Sequence, residues 1–112
     1  MAVQQWSDNV LLAELADDPQ FSDDLTSLVD QCTQNPRLDV LLNFANVTYL
    51  NSSNIAKLLK LRKVVQIGNE RKLRLAGITR HVWGLFLVTG LDRIFDVVED
   101  VPTGLASLQM QQ

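Results

Sequence analysis

The residues best placed to do chemistry form a short polar insert, Asn51-Ser52-Ser53-Asn54, between the apolar run Leu38 to Leu50 and an amphipathic segment that begins near Ile55. A serine at a strand-to-helix junction stands where the first N–H groups of the helix have no intrahelical partner. A phosphate added there would be favoured by the helix dipole. Ser52 is therefore the candidate phospho-acceptor and Ser53 the weaker one, while a plain helix cap is the competing role for Ser52. Asn51 and Asn54 suit turn and cap positions first and partner contact second. Other chemistries lack their residues. His81 is the only histidine and no Gly-x-Ser-x-Gly elbow is present, which excludes a hydrolase triad. One cysteine, one histidine and scattered carboxylates offer no metal-ligand spacing, and the five glycines are too dispersed to cradle a phosphate. No catalytic residue, metal or cofactor is expected.

At 112 residues with 46% hydrophobic content, the chain is read as one soluble globular domain over residues 1–112. No run approaches the roughly 18 apolar residues needed to span a bilayer, and the start lacks a basic, apolar leader, so a cytoplasmic protein is expected. Cys32 falls on an apolar helix face with Leu25, Leu28 and Val29 and reads as core. Charge is divided along the chain. Asp8, Glu14, Asp17, Asp18, Asp23, Asp24, Asp30 and Asp39 precede residue 50 with only Arg37 against them. Lys57, Lys60, Arg62, Lys63, Arg71, Lys72, Arg74 and Arg80 follow. The basic group has no interleaved aromatics and the chain is acidic overall, so it reads as a solvated face or a protein-contact face and not as a nucleic-acid site.

The elements that must position the insert follow from periodicity. Val3 to Trp6 and Asn9 to Leu15 form a hairpin about Ser7-Asp8. Phe21 to Gln34 is a helix capped by Ser22 and stopped at Asn35-Pro36. Leu38 to Phe44 is a buried central strand. The next helix sets Ile55, Leu58, Leu59, Leu61 and Val65 on its apolar arc and ends at Gly68-Asn69, with Gly68 left-handed. Lys72 to Ala76 is a strand and Thr79 caps a helix to about Thr89, which Gly90 terminates. Ile94 to Val98 is a last strand, and Pro102 at a first helical position opens a final helix that frays into Gln111-Gln112. Trp83, Phe86, Leu87 and Phe95 take core roles by default, and Trp6 sits on an edge strand. The order β-β-α-β-α-β-α-β-α requires crossovers. It predicts an α/β fold with a mixed, largely parallel sheet of about five strands, the first antiparallel, and about four helices.

Asp39-Val40-Leu41-Leu42-Asn43-Phe44, Val47-Thr48-Tyr49-Leu50-Asn51-Ser52-Ser53-Asn54, Leu73-Arg74-Leu75-Ala76-Gly77 and, most specifically, Thr89-Gly90-Leu91-Asp92-Arg93-Ile94-Phe95 resemble the bacterial anti-sigma factor antagonist, or STAS, domain. The resemblance implies a binding module in a partner switch. An anti-sigma factor serine kinase phosphorylates the serine matching Ser52, the unmodified form binds that kinase and frees a sigma factor, and a phosphatase resets the cycle. The contact patch it implies comprises Asn51, Ser53, Asn54 and Ile55 with Lys57 at the rim, without direct binding of nucleic acid or insertion into a membrane. The family pattern is Asp-Ser-Ser/Thr-Gly. This chain has Asn51 for the aspartate and Asn54 for the glycine, so Asn54 is expected to add bulk where a kinase approaches. The alternative the resemblance allows is an unphosphorylated adaptor, either a scaffold of a signalling complex or an accessory subunit of a transporter.

Overall fold

The computed structural model describes residues 3–109. Their order is β1 (Val3–Ser7), β2 (Val10–Ala16), α1 (Gln20–Gln34), β3 (Asp39–Asn46), α2 (Ser52–Arg62), β4 (Leu73–Ala76), α3 (Arg80–Thr89), β5 (Asp96–Val98) and α4 (Val101–Gln109). The strands form one sheet in sequence order, with β1 antiparallel to β2 and every other pair parallel. This is the sheet expected from the alternation of strands and helices, with β3 at its centre.

Strand side chains alternate between two apolar layers. Leu11, Ala13, Leu15, Val40, Leu42, Phe44, Leu73 and Leu75 face a core shared with α1, α2 and α3. Val10, Leu12, Leu41 and Ala76 face Leu108 and its neighbours on α4. Because both faces of β3 are covered, its sequence reads as a nearly unbroken apolar run. Phe44 joins the larger core, its ring meeting Phe21 edge-on at 6.0 Å and Phe86 edge-on at 6.2 Å. Phe86 continues the chain to Phe95 at 6.1 Å. Cys32 is fully buried, as expected, and burial pushes its thiol up to about 11.

At the end of the sheet where β3 begins, Asp39 is buried and paired with Arg71 at 2.8 Å. It accepts from both Nε and Nη2 of that guanidinium and from the backbone N–H of Lys72. A buried carboxylate is tolerated because these three donors replace its water. The clamp fixes where β4 starts against β3.

Several local expectations are corrected. Ser22 does not cap α1; the Asp18 carboxylate accepts from its N–H and its hydroxyl. The second helix starts at Ser52, three residues earlier than expected, and Leu59 of its assigned apolar arc is exposed. After Arg62 it widens into a π-helical turn, Lys63–Gly68, and the left-handed residue beyond is Glu70 at φ 54°, not Gly68. Thr79 stands at the N-cap of α3 but makes no cap bond; its hydroxyl donates to the Val47 carbonyl at 3.3 Å. Ile94 and Phe95 precede β5, which is only three residues long. Pro102 is the second residue of α4, and the Asp100 carboxylate caps that helix through the Thr103 N–H. Trp83 and Leu87 are exposed, unlike Phe86 and Phe95. Trp6 is also exposed. The expected fraying at Gln111-Gln112 lies outside the described residues. Gly90 does terminate α3, at φ 80°.

Truncating the central aromatic opens a cavity that three elements share. Phe44→Ala should lower unfolding free energy by about 3–5 kcal/mol, read from the urea midpoint, with the far-ultraviolet circular dichroism of the remaining native state unchanged.

Candidate functional site

The insert lies at the carboxyl end of β3, and its geometry is set by a reciprocal pair of asparagines. Asn51 is the N-cap of α2 and its side chain accepts from the Asn54 N–H at 2.8 Å. The Asn54 side-chain oxygen accepts in turn from the Asn51 N–H at 3.1 Å. This capping box satisfies two N–H groups that helix geometry would leave unpaired. The cap is therefore Asn51, and Ser52 is the first residue of α2 instead of its cap. The Ser52 side chain is exposed, as is that of Ser53.

Asn54 has a second function. It is buried, and its amide nitrogen donates to Asp18 at 2.9 Å and lies 3.4 Å from the Ser22 hydroxyl. Asp18 thus receives donors from the first turns of both α1 and α2. Asp17 beside it accepts from the Thr48 N–H at 2.8 Å and its hydroxyl at 2.6 Å, tying the β2–α1 connection to the loop before α2. The Asn54 amide, with Ser22 second, holds the Asp18 carboxyl below the usual carboxylate range; the Thr48 hydroxyl does the same for Asp17.

These contacts correct the expected patch. Asn54 points inward and adds no bulk to the surface over Ser52. Asn51, Ser52 and Ser53 are exposed together, Ile55 is half-buried, and Lys57 is turned toward α1, lining a shallow cleft with Leu25, Val29 and Asp30. The exposed surface beside Ser52 on α2 runs through Ala56 and Leu59, while Lys60 lines the same cleft as Lys57. Counting i, i+4 and i+7 from Ser52 reaches Ala56 and Leu59, so the signal was present. Assigning Leu59 to the core by its hydrophobicity concealed it. Asp18 and Ser22 carried no local signal.

Among the described residues, no group of three or more histidine, cysteine or acidic side chains is placed to hold a metal ion. None of the described helices is long and apolar enough to cross a membrane. The site can offer an exposed hydroxyl on a rigid helix start, bordered by small and apolar side chains. That is the chemistry of a docking surface open to covalent modification.

The family model for the STAS domain matches residues 16–104. No curated protein gives a significant match. Among solved structures, an anti-sigma-factor antagonist (STAS) domain protein from Planctomyces limnophilus is similar with a TM-score of 0.79 at 13% identity, covering 96% of this chain and 97% of that one. RsbS from Moorella thermoacetica carrying a serine-to-glutamate substitution gives 0.80 at 14% identity, over 96% of this chain and 92% of that one. The anti-sigma factor antagonist SpoIIAA in its unphosphorylated form gives 0.70 at 13% identity, over 86% and 85%. At these identities the likeness is one of fold.

Asn54→Ala should cost about 1–3 kcal/mol in urea unfolding, because the capping box and the link to Asp18 disappear together. The lowered Asp17 and Asp18 carboxyls stabilise the fold above the ordinary value of 3.8, and that contribution is lost as pH falls through their lowered values. Asp18→Asn should therefore make the urea midpoint less steep in pH below about 3.8, with a lower midpoint at neutral pH.

Proposed function

The chain belongs to the STAS domain family, and from that premise we propose that it is a single-domain binding module, residues 1–112, in a phosphorylation-controlled partner switch. Ser52 is its acceptor. The observation that carries the reading is the exposed Ser52 hydroxyl at the first position of α2, on a helix start held rigid from behind by Asn51, Asn54 and Asp18. The partner is an anti-sigma factor serine kinase that brings its own ATP and magnesium, with a phosphatase to reset the state. Catalysis belongs to those partners, and the work is done in the bacterial cytoplasm without direct contact to DNA.

Binding and release follow from one charge. In the unmodified state Ser52, Ser53, Ala56 and Leu59 give the partner a nearly neutral surface, with Asn51 and Ile55 at its border. Phosphorylation adds about −1.5 to −2 charge and a strongly hydrated group. Covering that dianion without a paired cation costs several kcal/mol, and each 1.4 kcal/mol is tenfold in affinity. The helix N-terminus would ordinarily offset part of the charge. Here the Asn54 N–H of the first turn is already taken by Asn51, so that donor is not available to a phosphate on Ser52. The modification thus acts on the complex while the fold, secured by Asn54 from inside, persists.

Asn51 in place of the family aspartate supports a second reading, an adaptor that is never phosphorylated. An aspartate there would orient or activate the serine; an asparagine already committed to the capping box provides only the cap. Incubation with the cognate kinase and ATP followed by mass spectrometry separates the two: one phosphate on Ser52 supports the switch, and unmodified protein in a tight complex supports the adaptor. In binding assays Ser52→Asp should weaken the kinase complex by more than about tenfold and Ser52→Ala should leave it nearly unchanged. Equal affinities would remove the switch.

A further inference from the structure

Helix α3 connects β4 to the edge strand β5 and is the last helix on its side of the sheet. Only Val82 and Phe86 of its ten residues are buried. The opposite face is unusually apolar for a surface: Leu87 is 53% exposed and Val88 86%, with Trp83 exposed at the flank. In the middle of that face is Gly84, and a Cβ built on it would meet nothing within 4 Å. A mid-helix glycine weakens its own helix, and among the described residues no packing partner occupies the space a side chain would take there. The helix ends are also uncompensated. Arg80 occupies the first turn, where a cation opposes the dipole, and α3 has no acidic residue in its first turn and no basic residue in its last.

One occupant satisfies all three features. We infer that this face binds a second copy of the chain through a two-fold, antiparallel α3–α3 contact crossing at Gly84. In that register Gly84 meets Gly84 and allows close helix approach. Arg80 lies opposite Val88 of the second copy, His81 opposite Leu87, and the Arg80 cation of each first turn comes to the negative carbonyl end of the other helix. The exposed Trp83, Leu87 and Val88 are covered. The contact is built on a different helix from Ser52 and does not rest on the switch.

A contact of one ten-residue helix with its copy should fall short of the roughly 800 Å² per partner of a standard interface, so a dissociation constant on the order of tens to hundreds of micromolar is expected. Sedimentation velocity of the full chain over a concentration series, up to about 1 mM, should show reversible monomer and dimer. Val88→Asp should weaken the dimer by at least about tenfold with an unchanged thermal midpoint in dilute solution. Gly84→Ala should raise the dilute thermal midpoint, since the space above it is empty, and still weaken association. Gly84→Cys should form an intermolecular disulfide under mild oxidation, with the buried Cys32 silent. A wild type monomeric throughout overturns the proposal and leaves the face to a different protein. A dimer that survives Val88→Asp, one that does not cross-link through Gly84→Cys, or assembly that grows beyond two copies overturns it as well.

Discussion

A hydrogen bond from the Asn54 amide to the Asp18 carboxylate organises the end of the molecule where Ser52 lies. It joins the first turn of α2 to the residue that caps α1 across 36 positions of sequence. Through it, one carboxylate takes the Ser22 N–H at the start of α1 and the Asn54 side-chain amide at the start of α2. Buried polar groups of this kind are costly unless fully partnered. Asn54 meets the condition with both ends of its amide, taking the Asn51 N–H on the oxygen and giving the nitrogen to Asp18. The exposed serines are thereby presented on a helix start whose Asn51 and Asn54 N–H groups are both bonded. A hydroxyl on a fraying helix end would give a partner a poorly defined surface; this one is preorganised.

The elements were legible because burial writes itself into spacing. β3, covered on both faces, reads as a run of aliphatics, and the hairpin reads from its turn residues. The crossover order then fixes the parallel sheet with little freedom. Side-chain partners at long range were not legible. Nothing around Asn54 announces a carboxylate at Asp18, so a residue that departs from the family glycine looked like an obstruction and is an anchor. Ser22 looked like a cap because its type and position suit one, but a stronger acceptor four residues earlier takes that role.

Apolar residues misled for a related reason. Leu59, Trp83 and Leu87 are hydrophobic enough for a core, and periodicity places each near an apolar arc, yet each meets solvent. Burial of a helix face requires something to cover it. α2 turns its Ser52 side away from the sheet, and α3 lies beside a three-residue edge strand with no further helix beyond. Hydrophobicity alone does not place a residue inside, and exposed apolar side chains of this kind occur on both α2 and α3.

Asp39, clamped by Arg71 at the opposite end of β3, gives the sheet a second and independent anchor. Strand registration is settled there, among the amino-terminal ends of the parallel strands, far along the chain from the loops that carry Ser52. This clamp shares no residue with the Asn51–Asn54 capping box, so a change at one leaves the contacts of the other in place. The fold is shared with solved structures at 13–14% identity, and two anchors with no residue in common leave room for such divergence.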